Sequence, residues 1–291
     1  MVTQLSCYPR VWCSNMGWIR RELEALRIPP LKRFGQHFLI DSNVRDELIE
    51  QAELSSNDRV LEIGPGLGFL TTALASRAGD VIAVEKDRTL ASYLKTKFSA
   101  NKKVTIIQGD ALTTAIPDGA KIVSSPPYNI SSKLIVLILN SQFKLATLLL
   151  QEEFARRLTA TSGTRDYGRL TVMLQCSAQA TLIKTVPSTA FYPKPRVNSA
   201  VVIITRAKES SPTVDKGLFV DLVRALFTQR RRRLQGVMAR YLKSRYPEHS
   251  QAILQFVSIP DKRVFEAGSQ ELVEISNEIA RALLELKSRT G

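Results

Sequence analysis

The sequence predicts an α/β fold: a Rossmann-like sheet with helices on both faces, followed by a small C-terminal helical domain. Three observations predict it. From about residue 31 short apolar runs alternate with helical spacing. Glycines cluster directly after the first clear apolar run, and after about residue 206 the apolar spacing becomes helical throughout. The expected division is an N-terminal extension at 1–30, partly disordered or helical, a sheet domain at 31–206 and a helical domain at 207–291.

Residues 60–63 read as a strand, followed by glycines and a helix over 69–77. A second strand at 81–84 precedes a helix near 90–98. Further strands are expected at 104–108, 121–124 and 146–151. Such alternation produces right-handed βαβ units and a parallel sheet. Two more β-rich segments, 179–186 and 200–205, have no long helical run between them. The stretch Phe191-Tyr192-Pro193-Lys194-Pro195 is too proline-rich for a helix. An antiparallel pair closing the sheet edge is the simplest reading. Residues 208–216 are polar, contain Pro212 and read as a linker. Beyond it Leu218, Leu222, Ala225 and Leu226 share one helical face, as do Leu272, Ile275, Ile279 and Leu283.

The chain has 291 residues, enough to bury a substantial core without disulfides. Its three cysteines form no Cys-x-x-Cys pair and there are two histidines. A zinc site or disulfide framework is therefore not expected, and the thiols point to an intracellular, cytoplasmic protein. No apolar run reaches the ~18 residues of a membrane span. Residues 1–21 contain Arg10, Arg20 and Arg21 and no acid, a pattern shared by transit peptides and disordered extensions. The net charge of +14 favours a polyanionic partner such as nucleic acid.

The run Val60-Leu61-Glu62-Ile63-Gly64-Pro65-Gly66-Leu67-Gly68 joins a strand to a helix. In an open parallel sheet the ligand crevice lies at the carboxyl ends of the strands, where this loop falls. A dinucleotide fingerprint has the spacing G-x-G-x-x-G and cradles a pyrophosphate. Here the spacing is G-x-G-x-G, and Pro65 removes an N–H. S-adenosylmethionine (SAM) carries no phosphate and needs no such cradle. Glu85, ending the second strand, suits ribose hydroxyls, as it would in NAD. Asp110, after the third, suits an adenine amino group. Together these residues favour SAM.

Ser124-Ser125-Pro126-Pro127-Tyr128 follows the fourth strand and faces the same crevice. An exocyclic amine on a base is a poor nucleophile because its lone pair is delocalised into the ring. The Ser125 hydroxyl oxygen and the Pro126 carbonyl can accept its two hydrogens and localise that lone pair, a catalysis by positioning. Tyr128 can stack on a base held out of its neighbours. Ser125, Pro126 and Tyr128 are thus the catalytic candidates.

With these motifs in place the chain resembles the small-subunit ribosomal RNA adenine N6,N6-dimethyltransferases, from about Lys32 to beyond Gly236. The resemblance rests on Phe34-Gly35-Gln36-His37-Phe38-Leu39, the glycine loop, Glu85, Asp110, Pro127-Tyr128, Phe191 through Ser199, and Phe227 through Arg233. It implies a SAM-dependent methyltransferase that methylates ribosomal RNA in an assembling small subunit, with no membrane contact, as a monomer. It implies that Gln36, His37 and Leu39 lie beside the cofactor. Gly64, Gly66, Glu85, Lys86, Asp110, Ala111 and Ser125 would then bind it. It places Phe191 near the target base, although a core aromatic reads equally well there. Arg230, Arg231, Arg232 and Arg233, read as helical, become phosphate contacts.

One departure stands out. The family pattern is Asn-Leu/Ile-Pro-Tyr, whereas this chain has Ser125-Pro126-Pro127-Tyr128. It keeps open an inactive assembly or transcription factor on the same fold. A DNA amino methyltransferase, whose Ser-Pro-Pro-Tyr spelling is similar, and a large-subunit RNA methyltransferase are further alternatives.

Overall fold

The computed structural model describes residues 14–27, 36–207 and 213–290. Phe34, Gly35, most of the linker at 208–216 and much of the N-terminal extension lie outside the described residues. Helix α1 (Ser14–Ala25) comes first, then strand β1 (Phe38–Leu39) and helix α2 (Ser42–Gln51). The sheet proper begins with β2 (Arg59–Ile63), α3 (Phe69–Ala75), β3 (Asp80–Glu85), α4 (Arg88–Lys97) and β4 (Val104–Gln108). It continues through β5 (Lys121–Ser124), α5 (Ser131–Leu139), β6 (Leu145–Gln151), α6 (Glu152–Leu158) and α7 (Arg169–Gln175). Then come β7 (Ala178–Val186), β8 (Phe191–Tyr192) and β9 (Ser199–Arg206). The chain ends in α8 (Lys216–Phe227), α9 (Leu234–Arg245), α10 (Ser250–Phe256) and α11 (Ser269–Thr290).

Seven strands form one sheet in the order β4-β3-β2-β5-β6-β9-β7. The five strands from β4 to β6 are parallel, and β9 runs antiparallel to both neighbours. β5 is buried along its whole length, as a strand covered on both faces must be. Leu61, Ile63 and Ile122 face α5, α6 and α7, while Val60, Val81 and Val123 face α2 and α3. The α/β class and the helices on both faces follow the sequence expectation. The antiparallel pair closes the edge with β9 inside and β7 outermost.

Helices α2, α5, α6 and α7 and the small β1–β8 ladder were not anticipated. α5 is the run Ser-Ser-Lys-Leu-Ile-Val-Leu-Ile-Leu, so apolar that it shows little helical alternation. β1 and β8 pair Phe38 with Tyr192 and Leu39 with Phe191, a contact no local pattern announces.

Helices α8 to α11 bury Leu222, Leu226, Leu242, Ile253, Leu272 and Ile279 in one cluster. That cluster also takes in Ala160, Tyr167 and Val172, so its core reaches back across residue 206.

The arginine run is a correction. It lies in the turn between α8 and α9, not on a helix. Arg230 donates to the carbonyls of Thr164 at 3.2 Å and Arg165 at 2.8 Å, and its guanidinium sits 5.6 Å from the Phe265 ring. Arg233 pairs with Asp261 at 2.8 Å. Only Arg231 and Arg232 have exposed side chains with no such anchor among the described residues.

Arg230 therefore ties the helical layer to the 161–166 loop. Replacing it with Ala should cost about 1–3 kcal/mol through two lost charge-assisted bonds and be visible as a lower Tm in thermal unfolding. Arg230→Lys should recover less than half of the loss, because an ammonium cannot reproduce the guanidinium fork.

Candidate active site

The strand order reverses between β2 and β5: the chain leaves β2 toward β3 and β4, then returns to β5 and β6 on the other side. Ladder pairing between β2 and β5 ends at Leu61 and Ile122. Beyond that point the Ser124 hydroxyl, fully buried, donates to the Ile63 carbonyl at 2.6 Å and accepts from the Ile63 N–H at 3.3 Å. The two strand ends are stitched there as their loops diverge, and a cleft opens between them.

On the β2 side is the glycine loop. Gly66 has φ +59°, and a Cβ there would meet the Phe38 ring at 2.9 Å, so both backbone and packing require glycine. The Gly66 N–H donates to Glu85 Oε2 at 3.1 Å, and the Asp87 N–H donates to Glu85 Oε1 at 2.9 Å. Glu85 thus holds the loop to the end of β3. Burial raises its carboxyl above the ordinary range, opposed by these two N–H bonds. Each oxygen keeps a lone pair for a further donor.

Asp110, after β4, accepts from the Leu112 N–H at 2.9 Å and pairs with Lys86 Nζ at 2.8 Å. The Lys86 hydrogen bond, then the Leu112 N–H, hold its carboxyl below the usual value. Three acidic residues, Glu85, Asp87 and Asp110, line the cleft with one lysine, Lys86. That balance opposes a polyphosphate and suits a cationic ligand with donor hydroxyls and an amino group. The donor set therefore fits SAM, whose sulfonium is positive.

On the β5 side, Ser125 and Tyr128 are half-buried and Pro126 is buried. Neither Ser125 Oγ nor the Pro126 carbonyl has a hydrogen-bond partner among the described residues. Tyr128 is fixed on three sides. Its hydroxyl meets Ser199 Oγ at 2.6 Å, its ring stacks on His37 at 5.6 Å, and the Phe191 ring meets it edge-on at 6.5 Å. His37 Nδ1 donates to the Pro193 carbonyl at 2.7 Å; a carbonyl only accepts, so this bond puts the proton on Nδ1.

Gln36, His37, Gly64, Gly66, Glu85, Lys86, Asp110, Ala111, Ser125, Pro126 and Tyr128 all line this one cleft. Leu39 does not: it is buried in the core beside α2. Phe191 is 3% exposed, so it supports Tyr128 from behind and offers no face to a base. The arginine run is not among the residues lining the cleft. Sequence reasoning passed over Phe38, Asp87, Asn129 and Ser199. Asp87 had a signal, since it caps α4 by accepting from the Thr89 and Leu90 N–H groups. Asn129 directly follows the Ser125-Pro126-Pro127-Tyr128 segment. Phe38 and Ser199 lie inside the motifs that carry the family resemblance, but nothing local says that they meet Gly66 and Tyr128.

The sequence pattern of one family, described as ribosomal RNA adenine dimethylase, matches residues 31–280. The chain belongs to that family. A probable ribosomal RNA small subunit methyltransferase A of Pyrococcus abyssi is 42% identical over 251 residues, 85% of this chain and 91% of that protein. Its counterpart in Methanosarcina acetivorans is 39% identical over 257 residues, 88% of this chain and 94% of that protein. The structure of a Plasmodium falciparum dimethyladenosine transferase superposes with a TM-score of 0.73 at 26% identity, covering 87% of this chain and 98% of that one. The 23S rRNA methyltransferase ErmE gives 0.63 at 29% identity, covering 84% and 99%. Membership makes the chain a methyltransferase of the Rossmann-like type, and the family's chemistry implies dependence on SAM. No helix among the described residues is long and apolar enough to cross a membrane.

Beneath the glycine loop of this dimethylase lies Glu62, 1% exposed, with Oε2 unpartnered. Burial pushes its carboxyl up to about 8, with Thr71 and Lys97 pulling it down and the Glu85 carboxylate adding to the rise. A raised folded pKa favours the protonated folded state. The stabilisation is complete below the unfolded value of 4.5 and is lost as pH rises through about 8. Glu62→Gln, which mimics the protonated form, should flatten this loss: Tm measured from pH 5 to 8 should fall less steeply than in wild type. Parallel curves would show that Glu62 is ionised at neutral pH.

Proposed function

We propose that this dimethylase moves methyl groups from SAM to the N6 amino groups of two adjacent adenines in small-subunit ribosomal RNA, two methyls each. It does so in the cytoplasm, as a monomer acting on an assembling particle. The observation that carries the reading is the pair of unengaged acceptors, Ser125 Oγ and the Pro126 carbonyl, beside a cleft whose charge suits a cationic cofactor. SAM, when bound, supplies an electrophilic methyl on its sulfonium. Gly66, Glu85 and Asp110 would hold it at the strand ends, with the ribose and adenine toward the carboxylates.

On this reading the chain works by placing the amine. Ser125 and Pro126 accept hydrogen bonds from its two N–H hydrogens and turn the lone pair toward the methyl group. As the N–C bond forms and the S–C bond breaks, leaving a thioether, the methylated nitrogen releases one proton to water. Tyr128 stacks on the splayed base, and its fixation by Ser199, His37 and Phe191 means little rearrangement is needed. No strong base is required. Ser125 is shorter than the family asparagine, so the amine comes closer or a water bridges the gap. The relatives named for the small subunit, at 42% and 39% identity, favour that RNA over the 23S target named for ErmE at 29%. Residues 207–291 serve as the RNA-binding domain, with Arg231 and Arg232 free to meet phosphate while Arg230 and Arg233 are anchored.

Ser125→Ala should slow single-turnover methyl transfer about 10- to 100-fold, the equivalent of one lost hydrogen bond in the transition state, with SAM affinity within about twofold. Unchanged turnover would remove Ser125 from the mechanism. No methylation of immature small subunits by the wild-type chain would favour the inactive assembly factor instead.

Changing both Arg231 and Arg232 to Gln should lower the slope of log K against log salt for RNA binding by about 1.4–1.8, near 0.7–0.9 per phosphate contact. Equal slopes would mean that the turn does not meet the backbone.

A further inference from the structure

Helix α1 precedes residues 31–280, the part that the family pattern matches. Its seat is nonetheless the back of the cofactor loop. Ile19 and Leu23, 1% and 4% exposed, pack into a cluster with Phe38, Leu67 and Leu90. Leu67 belongs to the glycine loop itself, and Phe38 is the ring pressed against Gly66.

A second contact runs through Lys97, at the end of α4. Its ammonium donates to the Leu67 carbonyl at 2.8 Å. It also lies 4.9 Å from the Trp18 ring of α1 and 5.7 Å from the rings of both Tyr93 and Phe98. Three aromatic faces around one ammonium hold it electrostatically over the loop, although Lys97 itself is exposed. Glu22 of α1 stands beside Tyr93 and Lys97.

A third contact reaches the acceptor side. Arg20 lies 5.1 Å from the Tyr192 ring, and the next residue, Pro193, supplies the carbonyl that orients His37 under Tyr128.

We propose that α1 and Lys97 are positioning elements of the cofactor site: α1 braces the glycine loop through Leu67, Phe38 and Lys97, so that docking of α1 and binding of SAM favour each other. The inference rests on the reading of this loop as the SAM site. A loop with several glycines samples many conformations when free. Pinning the Leu67 carbonyl and side chain from behind removes that freedom before the ligand arrives. By linkage, whatever α1 adds to SAM affinity SAM returns to α1 docking, and couplings of this kind are commonly about 5- to 150-fold.

The test uses the full chain. Trypsin cleavage after Arg20, Arg21 and Arg27, mapped by mass spectrometry, should slow at least about fivefold at saturating SAM. Trp18→Ala and Lys97→Met should raise the SAM Kd and KM by about five- to tenfold while kcat at saturating SAM stays within about twofold. Lys97→Arg should restore most of the affinity, since a guanidinium can meet both the carbonyl and the rings. SAM-independent cleavage, or wild-type SAM affinity in folded Trp18→Ala and Lys97→Met, overturns the inference while leaving the SAM site intact. If the wild-type chain binds no SAM by titration calorimetry, the reading of the loop fails and the inference with it. The cleavage arm needs no substitution, so a variant that fails to fold does not spare the idea.

Discussion

Everything in the site hangs on the parting of β2 from β5. Parallel strands that stay paired to their ends leave no crevice, and strands that part without restraint leave unpaired buried backbone. Ser124 resolves the conflict by serving the Ile63 N–H and carbonyl with one hydroxyl, where the β2–β5 ladder has stopped. From that point one loop turns toward the cofactor side and the other toward the acceptor side. On the proposed reading the distance between methyl donor and amine would thereby be set by a sheet, whose geometry is stiffer than that of any loop.

The glycine loop gains its shape from the protein as much as from any ligand. Gly64, Gly66 and Gly68 all have positive φ, and in addition Phe38 and the Leu94–Phe98 pair approach Gly66 and Gly68 closer than a side chain allows, while Pro127 crowds Gly64 at 3.1 Å. Pro127 belongs to the acceptor loop, so the two sides of the cleft touch at Gly64. Glu85 has a similar double role. It secures Gly66 and Asp87 through their N–H groups while presenting its remaining lone pairs to the cleft. A change at either residue therefore reads out in both folding and binding.

What was legible in the sequence was what is local. The strands, the glycine loop, Glu85 and Asp110 each follow from a few neighbouring residues, and all lie where the topology requires. What was not legible is long-range. Tyr128 meets Ser199 across 71 residues and His37 meets Pro193 across 156. Phe191 illustrates the consequence. As a motif residue it reads equally as a base contact or as core, and only its burial beneath Tyr128 decides for the core. The arginine run misled for a related reason. Four like charges in sequence resemble one surface, but Arg230 and Arg233 turn back to Arg165 and Asp261, leaving two of the four without such an anchor among the described residues.

The serine at position 125 is best understood through what an asparagine would bring. A side-chain amide carries a fixed acceptor and a separate donor, so one hydrogen bond from its NH2 group can orient the oxygen. A hydroxyl uses a single oxygen for both roles, and its proton must point away from the amine before a lone pair is available. Ser125 Oγ has no partner among the described residues to take that proton. The orientation must therefore be selected when the substrate arrives. An acceptor oriented in advance lowers the barrier without reorganisation, whereas one oriented on demand loses part of that benefit. On the proposed reading the loss falls on the transition state more than on cofactor binding, because Glu85, Asp110 and the glycine loop would hold SAM. The departure from the family pattern would, on that same reading, bear on speed, and most on the second methylation, where the amine has one hydrogen left to share between the two acceptors.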